Sequence, residues 1–417
     1  MRKILLTMLA TSGLVWGAAA AHAEDLLNTY RQALQSDPQI RAAEAAFKAT
    51  LENRPQSRAG LLPSVGLNGS VSRTERRDQI EDNTLYYTSK SYDLQLTQPL
   101  YRRDRWIQLE QADSQIAQAD AQFNSARQGL IVRVADAYFN LLRAQDNLSF
   151  AQAEKKAIFQ QLRQTKQRFE VGLTAITDVR EAQARYDLSV SREIAAQNQV
   201  EVAQEALREL TGQAPGALVP LTDQMPLLMP EPANIKKWVE TALQQNLEVL
   251  AAEANAQVAR KEIERRRSGH YPTLDLTADY GYQDTNFGGF RPSRADTGTV
   301  GVELNIPIYQ GGLITSQTRQ AAHLLSQAQD QLDQQRRATV RNTRSAYLNV
   351  DAGISQVKAL KQSVISSETA LKATEAGFEV GTRTAVDVLN SQQELFGARR
   401  DYASARYDYI LSTLRLK

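Results

Sequence analysis

Few side chains in this 417-residue chain could carry out chemistry. Beyond residue 23 its only histidines are His270 and His323, in different predicted elements and without the spacing that lets two imidazoles share a metal. Cysteine is absent, which removes disulfides, thiolate nucleophiles and thiol-ligated metals. No phosphate loop, nucleophile elbow or dinucleotide fingerprint occurs. Carboxylates are plentiful, but they lie mostly on helically periodic stretches, where a solvated face is their ordinary role. No nucleophile, base and orienting group fall together even in outline. The expectation is a non-enzyme without metal or cofactor.

Charge gives no sign of a polyanionic partner. Setting aside Arg2 and Lys3, the 49 basic residues fall to 47, which equals the 47 acidic ones. Nucleic-acid binding asks for a basic face, and Arg265-Arg266-Arg267 is too short to be one. The N-terminus instead carries an address. Arg2 and Lys3 precede an apolar run from Ile4 to Val15, and Ala21-His22-Ala23 is a small-x-small cleavage site. Residues 1–23 are therefore expected to be a secretory signal. No later stretch reaches the roughly 20 apolar residues of a membrane helix. Any spanning segment must therefore be β-barrel.

The elements are written twice. Ala33-Leu34-Gln35 recurs as Ala242-Leu243-Gln244, Leu96 to Tyr101 as Leu304 to Tyr309, and Phe169-Glu170-Val171-Gly172 as Phe378-Glu379-Val380-Gly381. The period is about 209 residues, too long for a solenoid. The expected organisation is a first repeat over 24–210, a Pro- and Gly-rich linker over 211–235, and a second repeat over 236–417. Each repeat reads as a helix (24–57 and 234–268), two alternating segments, a long helix and a return helix.

The alternating segments have period two. Val65, Leu67 and Val71 oppose Asn68, Ser70 and Ser72. Tyr92, Leu94 and Leu96 alternate with Asp93, Gln95 and Thr97. Leu274 to Tyr282 and Val300 to Ile306 follow suit. Such strands suit a barrel wall with one lipid face and one wet face, although a half-buried soluble sheet alternates too. Four strands cannot close a membrane barrel, which starts at about eight. Membrane strands here would have to be pooled between chains, because lipid tolerates no open edge. The long stretches carry heptads: Val134, Leu141, Leu148, Leu162 and Phe169, broken at Lys155, beside Leu130, Ala137, Ala144, Ala151 and Ile158. A looser row runs Val350, Val357, Val364, Leu371 and Phe378. This is a coiled-coil seam on a helix on the order of 100 Å long. Gly172 and Gly381 are expected to end these helices in the left-handed conformation. Thr174 and Thr384 are the expected caps of the return helices.

Taken together, the signal, the repeats, the strand pairs and the twin hairpins resemble the TolC outer-membrane efflux family over nearly the whole mature chain. The closest stretches are Gln167 to Val179 and Val380 to Leu389, with Pro272 to Ala278 and Pro307 to Gly312 beside them. The resemblance implies a mainly α protein with a membrane β-barrel: a homotrimer with a shared twelve-stranded barrel, four strands per chain, above an α-helical coiled-coil tunnel. It places the linker in an equatorial belt and surface loops at 73–91 and 282–299. The implied role is the exit duct of tripartite drug efflux and type I protein secretion. The implied partners are outer-membrane lipid, a periplasmic adaptor (membrane fusion) protein, and an inner-membrane RND pump or ABC exporter.

It also implies a gate at the periplasmic tips. Arg383 matches the arginine that ties one coil to the neighbouring coil, with Thr177 and Asp178 as its partners. Asp387 matches a pore-ring aspartate. At two matched positions this sequence departs from the family: Asn390 replaces a second ring aspartate, and Phe378 replaces a latch tyrosine. Val171, Gly172, Leu173, Val380, Gly381 and Thr382 match the adaptor-contacting tips. Read without the resemblance, Asp178 favours a helix N-terminus through the dipole and Arg383 is a solvated turn residue. The rival readings are a soluble periplasmic coiled-coil adaptor or scaffold, which would need no membrane strands, and a diffusion porin, which would be nearly all strand.

Overall fold

The computed structural model describes residues 24–78, 83–222, 225–287 and 293–417. The expected signal (1–23) lies outside them, as do 79–82 and 288–292 of the expected loops. Three helices, α1 (Leu26–Ser36), α2 (Pro38–Leu51) and α3 (Asn53–Ala59), occupy the stretch read as one first helix. The first break falls at Asp37, which precedes a proline and is extended. Then come strands β1 (Ser64–Asp78) and β2 (Asn83–Tyr101) and helices α4 (Arg103–Glu170) and α5 (Ile176–Thr211). The second half holds α6 (Ile235–Gln245), α7 (Leu247–Arg267), a short 3-10 turn, β3 (Thr273–Phe287), β4 (Ser293–Asn305), α8 (Leu313–Glu379) and α9 (Ala385–Leu416). The order of helix, strand pair, long helix and return helix thus occurs twice. Local geometry repeats with it. Asp37 and Asn246 are both extended, and their amides donate to Ala33 and Ala242 carbonyls at 2.8 and 2.9 Å.

By contact the chain forms two compact units that cut across this repeat. One comprises the chain through Asp37, Arg133–Leu227 and Val357–Tyr407. The other comprises Pro38–Val132, Leu228–Gln356 and Asp408–Lys417, and holds the whole sheet.

That sheet is an antiparallel meander, β1-β2-β3-β4. Its register keeps like with like. Val65, Leu96, Ala278 and Val300 lie side by side, as do Leu67, Leu94 and Tyr280. On the opposite face the Asn68 amide donates to Asp93 at 2.9 Å, and the Ser70 and Ser91 hydroxyls bond at 2.8 Å. One face is therefore apolar across all four strands and the other is hydroxyl- and amide-rich. The apolar face is uncovered among the described residues, with Leu67 73% and Val300 78% exposed. An apolar surface of this extent marks an interface with lipid or protein.

The strands also run further than expected. Much of 73–91 and 282–299, read as surface loop, is ladder: Arg73 pairs with Thr88, Arg77 with Thr84, and Asp284 with Arg294. Beyond Ser72 charges fall on both faces, so side-chain alternation stops while backbone pairing continues.

In the first unit the expected seam is buried at Val134, Leu141, Ala144, Ala151, Ile158 and Leu162 on α4, and at Val357 and Phe378 on α8. The break at Lys155 has a physical cause. Lys155 pairs with Glu193 of α5, and beside it the buried Glu154 carboxylate accepts from Arg192 at 2.9 Å. A double ion pair replaces one apolar layer of the hairpin. Nearer the C-terminus, the Tyr407 hydroxyl on α9 donates to Asp146 of α4 at 2.7 Å.

Candidate functional site

Both hairpin tips lie in the first unit and are built alike. Gly172 and Gly381 have φ +77° and +80°, a region that costs glycine nothing. The Leu173 amide donates to Arg168 and the Gly172 amide to Phe169, while Thr382 donates to Gly377 and Gly381 to Phe378. This pair of bonds closes a helix in a Schellman turn at each tip. Val171, Leu173 and Val380 stand outward, each at least 70% exposed. Each tip thus presents apolar side chains on a rigid glycine turn.

The return helices start differently. Thr384 caps α9 in a reciprocal box: its amide donates to Asp387 Oδ2 at 2.9 Å, and the Asp387 amide donates to Thr384 Oγ1 at 3.2 Å. These donors, the backbone amide foremost and then the hydroxyl, with the nearby Arg383 charge, hold the Asp387 carboxyl below the usual carboxylate range. At the first tip the expected cap is displaced by one residue. Ala175 occupies the cap position with no side-chain bond, and the Thr174 hydroxyl donates instead to the Asp178 carboxylate, one turn in.

Within one chain the expected latch residues are not joined. Asp178 faces Thr174. The Arg383 guanidinium has no hydrogen-bond or ion-pair partner among the described residues. Its stem crosses Gly377 so closely that a Cβ there would lie 2.7 Å from Arg383 Cγ. Gly377 is therefore a seat for Arg383. Phe378 packs with Ala385 and Val388, while Arg168 donates to its carbonyl at 3.1 Å and sits 4.1 Å above its ring. Asn390 accepts from Arg185, which also bonds Gln393. Arg168, Arg185, Gln393 and Gly377 escaped the sequence reading. Only Arg185 carried a signal, lying one heptad beyond Asp178.

No helix among the described residues is long and apolar enough to cross a membrane, which says nothing of the sheet. No acidic or histidine cluster among them could hold a metal.

The sequence matches the family described as outer membrane efflux protein over residues 29–213 and 238–417. The chain belongs to that family. The outer membrane protein TolC of Vibrio cholerae serotype O1 is 40% identical over 100% of this chain and 94% of its own length. The alkaline protease secretion protein AprF of Pseudomonas aeruginosa is 32% identical over 95% of this chain and 84% of its own length. The CmeC outer membrane channel of Campylobacter jejuni shares the fold, with a TM-score of 0.81 at 17% identity, covering 94% of this chain and 84% of that one. The efflux-family chain is thus an outer-membrane channel component rather than a soluble scaffold. Its family and relatives are channels, not enzymes.

Proposed function

We propose that this protein is the exit duct of efflux and type I secretion machinery, assembled as a homotrimer and gated at its helical tips. One observation carries the reading: a four-stranded sheet whose one face is apolar and exposed and whose edge strands, β1 and β4, have no further strand partner among the described residues. In lipid such edges must be paired. Three copies pair β4 of one with β1 of the next and close twelve strands, a size within the range of membrane barrels. The apolar faces of the strands then meet lipid and the polar faces line the pore. The tips meet a periplasmic adaptor through Val171, Leu173 and Val380, and an RND pump or ABC exporter supplies the energy. Native mass measurement in detergent after membrane fractionation tests the assembly. Three subunits in the outer-membrane fraction are expected, and a stable single subunit in detergent-free periplasmic extract overturns the reading.

At the gate, three copies of Asp387 form a ring of charge that disfavours anions. Within each chain the Thr384 donors and the Arg383 charge favour the ionised carboxylate. Arg383, without a hydrogen-bond or ion-pair partner among the described residues of its own chain, reaches Thr177 and Asp178 of the adjoining protomer and latches the ring shut. Arg383→Ala removes that latch, so single-channel conductance in planar bilayers should rise several-fold. Wild-type conductance would refute the latch.

A further inference from the structure

We propose that Arg168 and Arg185 are a second, intrachain set of gate tethers, which pin the α4/α5 hairpin to the α8/α9 hairpin of the same protomer at two levels. This rests on the gate reading above and adds residues to it.

The upper tether is Arg185. Its Nη1 donates to Gln393 Oε1 at 2.9 Å and its Nη2 to Asn390 Oδ1 at 3.2 Å, so one guanidinium spans neighbouring positions on α9. Glu181, one turn back on α5, lies 4.0 Å from Nη2. The underlying contact is apolar. Ala182 and Leu389 share a buried cluster with Ile158 and Leu162. Arg185 follows Ala182 by one turn and Asn390 adjoins Leu389, so the clamp flanks the place where α5 and α9 already touch. A planar fork meeting two acceptors fixes the rotation of one helix against the other, which a lone apolar contact does not.

The lower tether is Arg168, in the last turn of α4. It holds Phe378 of α8 in two ways, through the carbonyl and over the ring face. Phe378 has no hydroxyl to donate, and here its ring serves as the seat of a cation. Likewise Asn390 presents a neutral oxygen sideways to Arg185 rather than a charge to the pore. The two departures from the expected gate pattern, Phe378 and Asn390, are thus the two residues the arginines grip. Both grips are bonds from a charge to a neutral group, which water readily replaces, so they can be released when the hairpins part.

The test is planar-bilayer conductance of the purified full-length protein carrying Arg185→Ala, Gln393→Ala, their double, Arg168→Ala and Arg185→Lys, with Arg383→Ala run in parallel. Arg185→Ala and Arg168→Ala are each expected to raise mean conductance about threefold or more. The double variant should exceed Arg185→Ala by little, because both remove the same bond. Arg185→Lys should fall between wild type and alanine. Thermal melting of the extracted assembly should stay near wild type, which separates a tether from a general structural role. If Arg185→Ala assembles poorly, Gln393→Ala carries the same test. If Arg383→Ala opens the channel while Arg185→Ala and Arg168→Ala leave it at wild type, the tethers are refuted and the gate stands. If none of the three opens it, the gate reading falls with them. Additive effects of Arg185→Ala and Gln393→Ala refute the clamp as a pair.

Discussion

Leu96→Arg is expected to abolish stable assembly in the outer membrane, while Gln95→Arg, one residue earlier, should leave it largely intact. Leu96 sits in the middle row of the apolar face, level with Val65, Ala278 and Val300. An arginine facing lipid near the bilayer midplane costs about 2–4 kcal/mol. In a threefold assembly every chain bears that cost, which is comparable in sum to a domain's whole stability of roughly 5–15 kcal/mol. Gln95 points the other way, level with Gly66 and Asp279, so an arginine there meets water and a carboxylate. The readout is the yield of heat-modifiable oligomer from outer-membrane preparations, run with and without boiling. Equal yields for the two variants would contradict the assignment of faces.

Arg192→Ala should be the most damaging truncation of a charged side chain in the coiled-coil hairpin. Its partner Glu154 has a side chain only 2% exposed. Removing the guanidinium leaves a carboxylate in the interior with nothing to answer it. Breaking a fully buried pair costs about 3–5 kcal/mol, and because Arg192 is one-third exposed we expect less than that, about 2–3 kcal/mol. The double variant Glu154→Leu/Arg192→Leu should recover most of the loss, because a packed apolar layer substitutes well for an ion pair. Urea unfolding of the extracted protein measures both. A double variant as unstable as Arg192→Ala would show that geometry, rather than the stranded charge, is at fault.

Legibility in the sequence followed the range of the physics. Local rules were readable. Gly172 and Gly381 announced their left-handed turns, Thr384 announced its cap, and period-two alternation located all four strands. The strands' outer ends were not readable, because Arg73 to Arg77 carry charges on both faces while their backbone stays in register with Thr84 to Thr88. Thr174 failed as a cap because its hydroxyl found Asp178 instead. The ion pair at Glu154 showed only as a fault in the heptad at Lys155, since its partner lies on the opposite arm of the hairpin. The grip of Arg168 on Phe378 joins residues half the chain apart and leaves no local pattern. The resemblance supplied Arg383, Asp387, Asn390 and Phe378 as candidates. Only coordinates showed that Gly377 seats the first and that two arginines hold the last two.

In the proposed barrel, the hydroxyls and amides on the polar face of the sheet have a consequence for cargo. Ser70 bonds Ser91, Ser89 bonds Thr285 and Asn68 donates to Asp93, so these groups already have sideways partners and a passing molecule need not displace them. Each contact it makes with the wall replaces a similar one to water, with a small net gain or loss. In the proposed barrel such a wall gives neutral traffic little reason to linger, while the carboxylates of Asp93, Asp279 and Glu303 on the same face set it against anions. Dissimilar neutral molecules could share a conduit built this way.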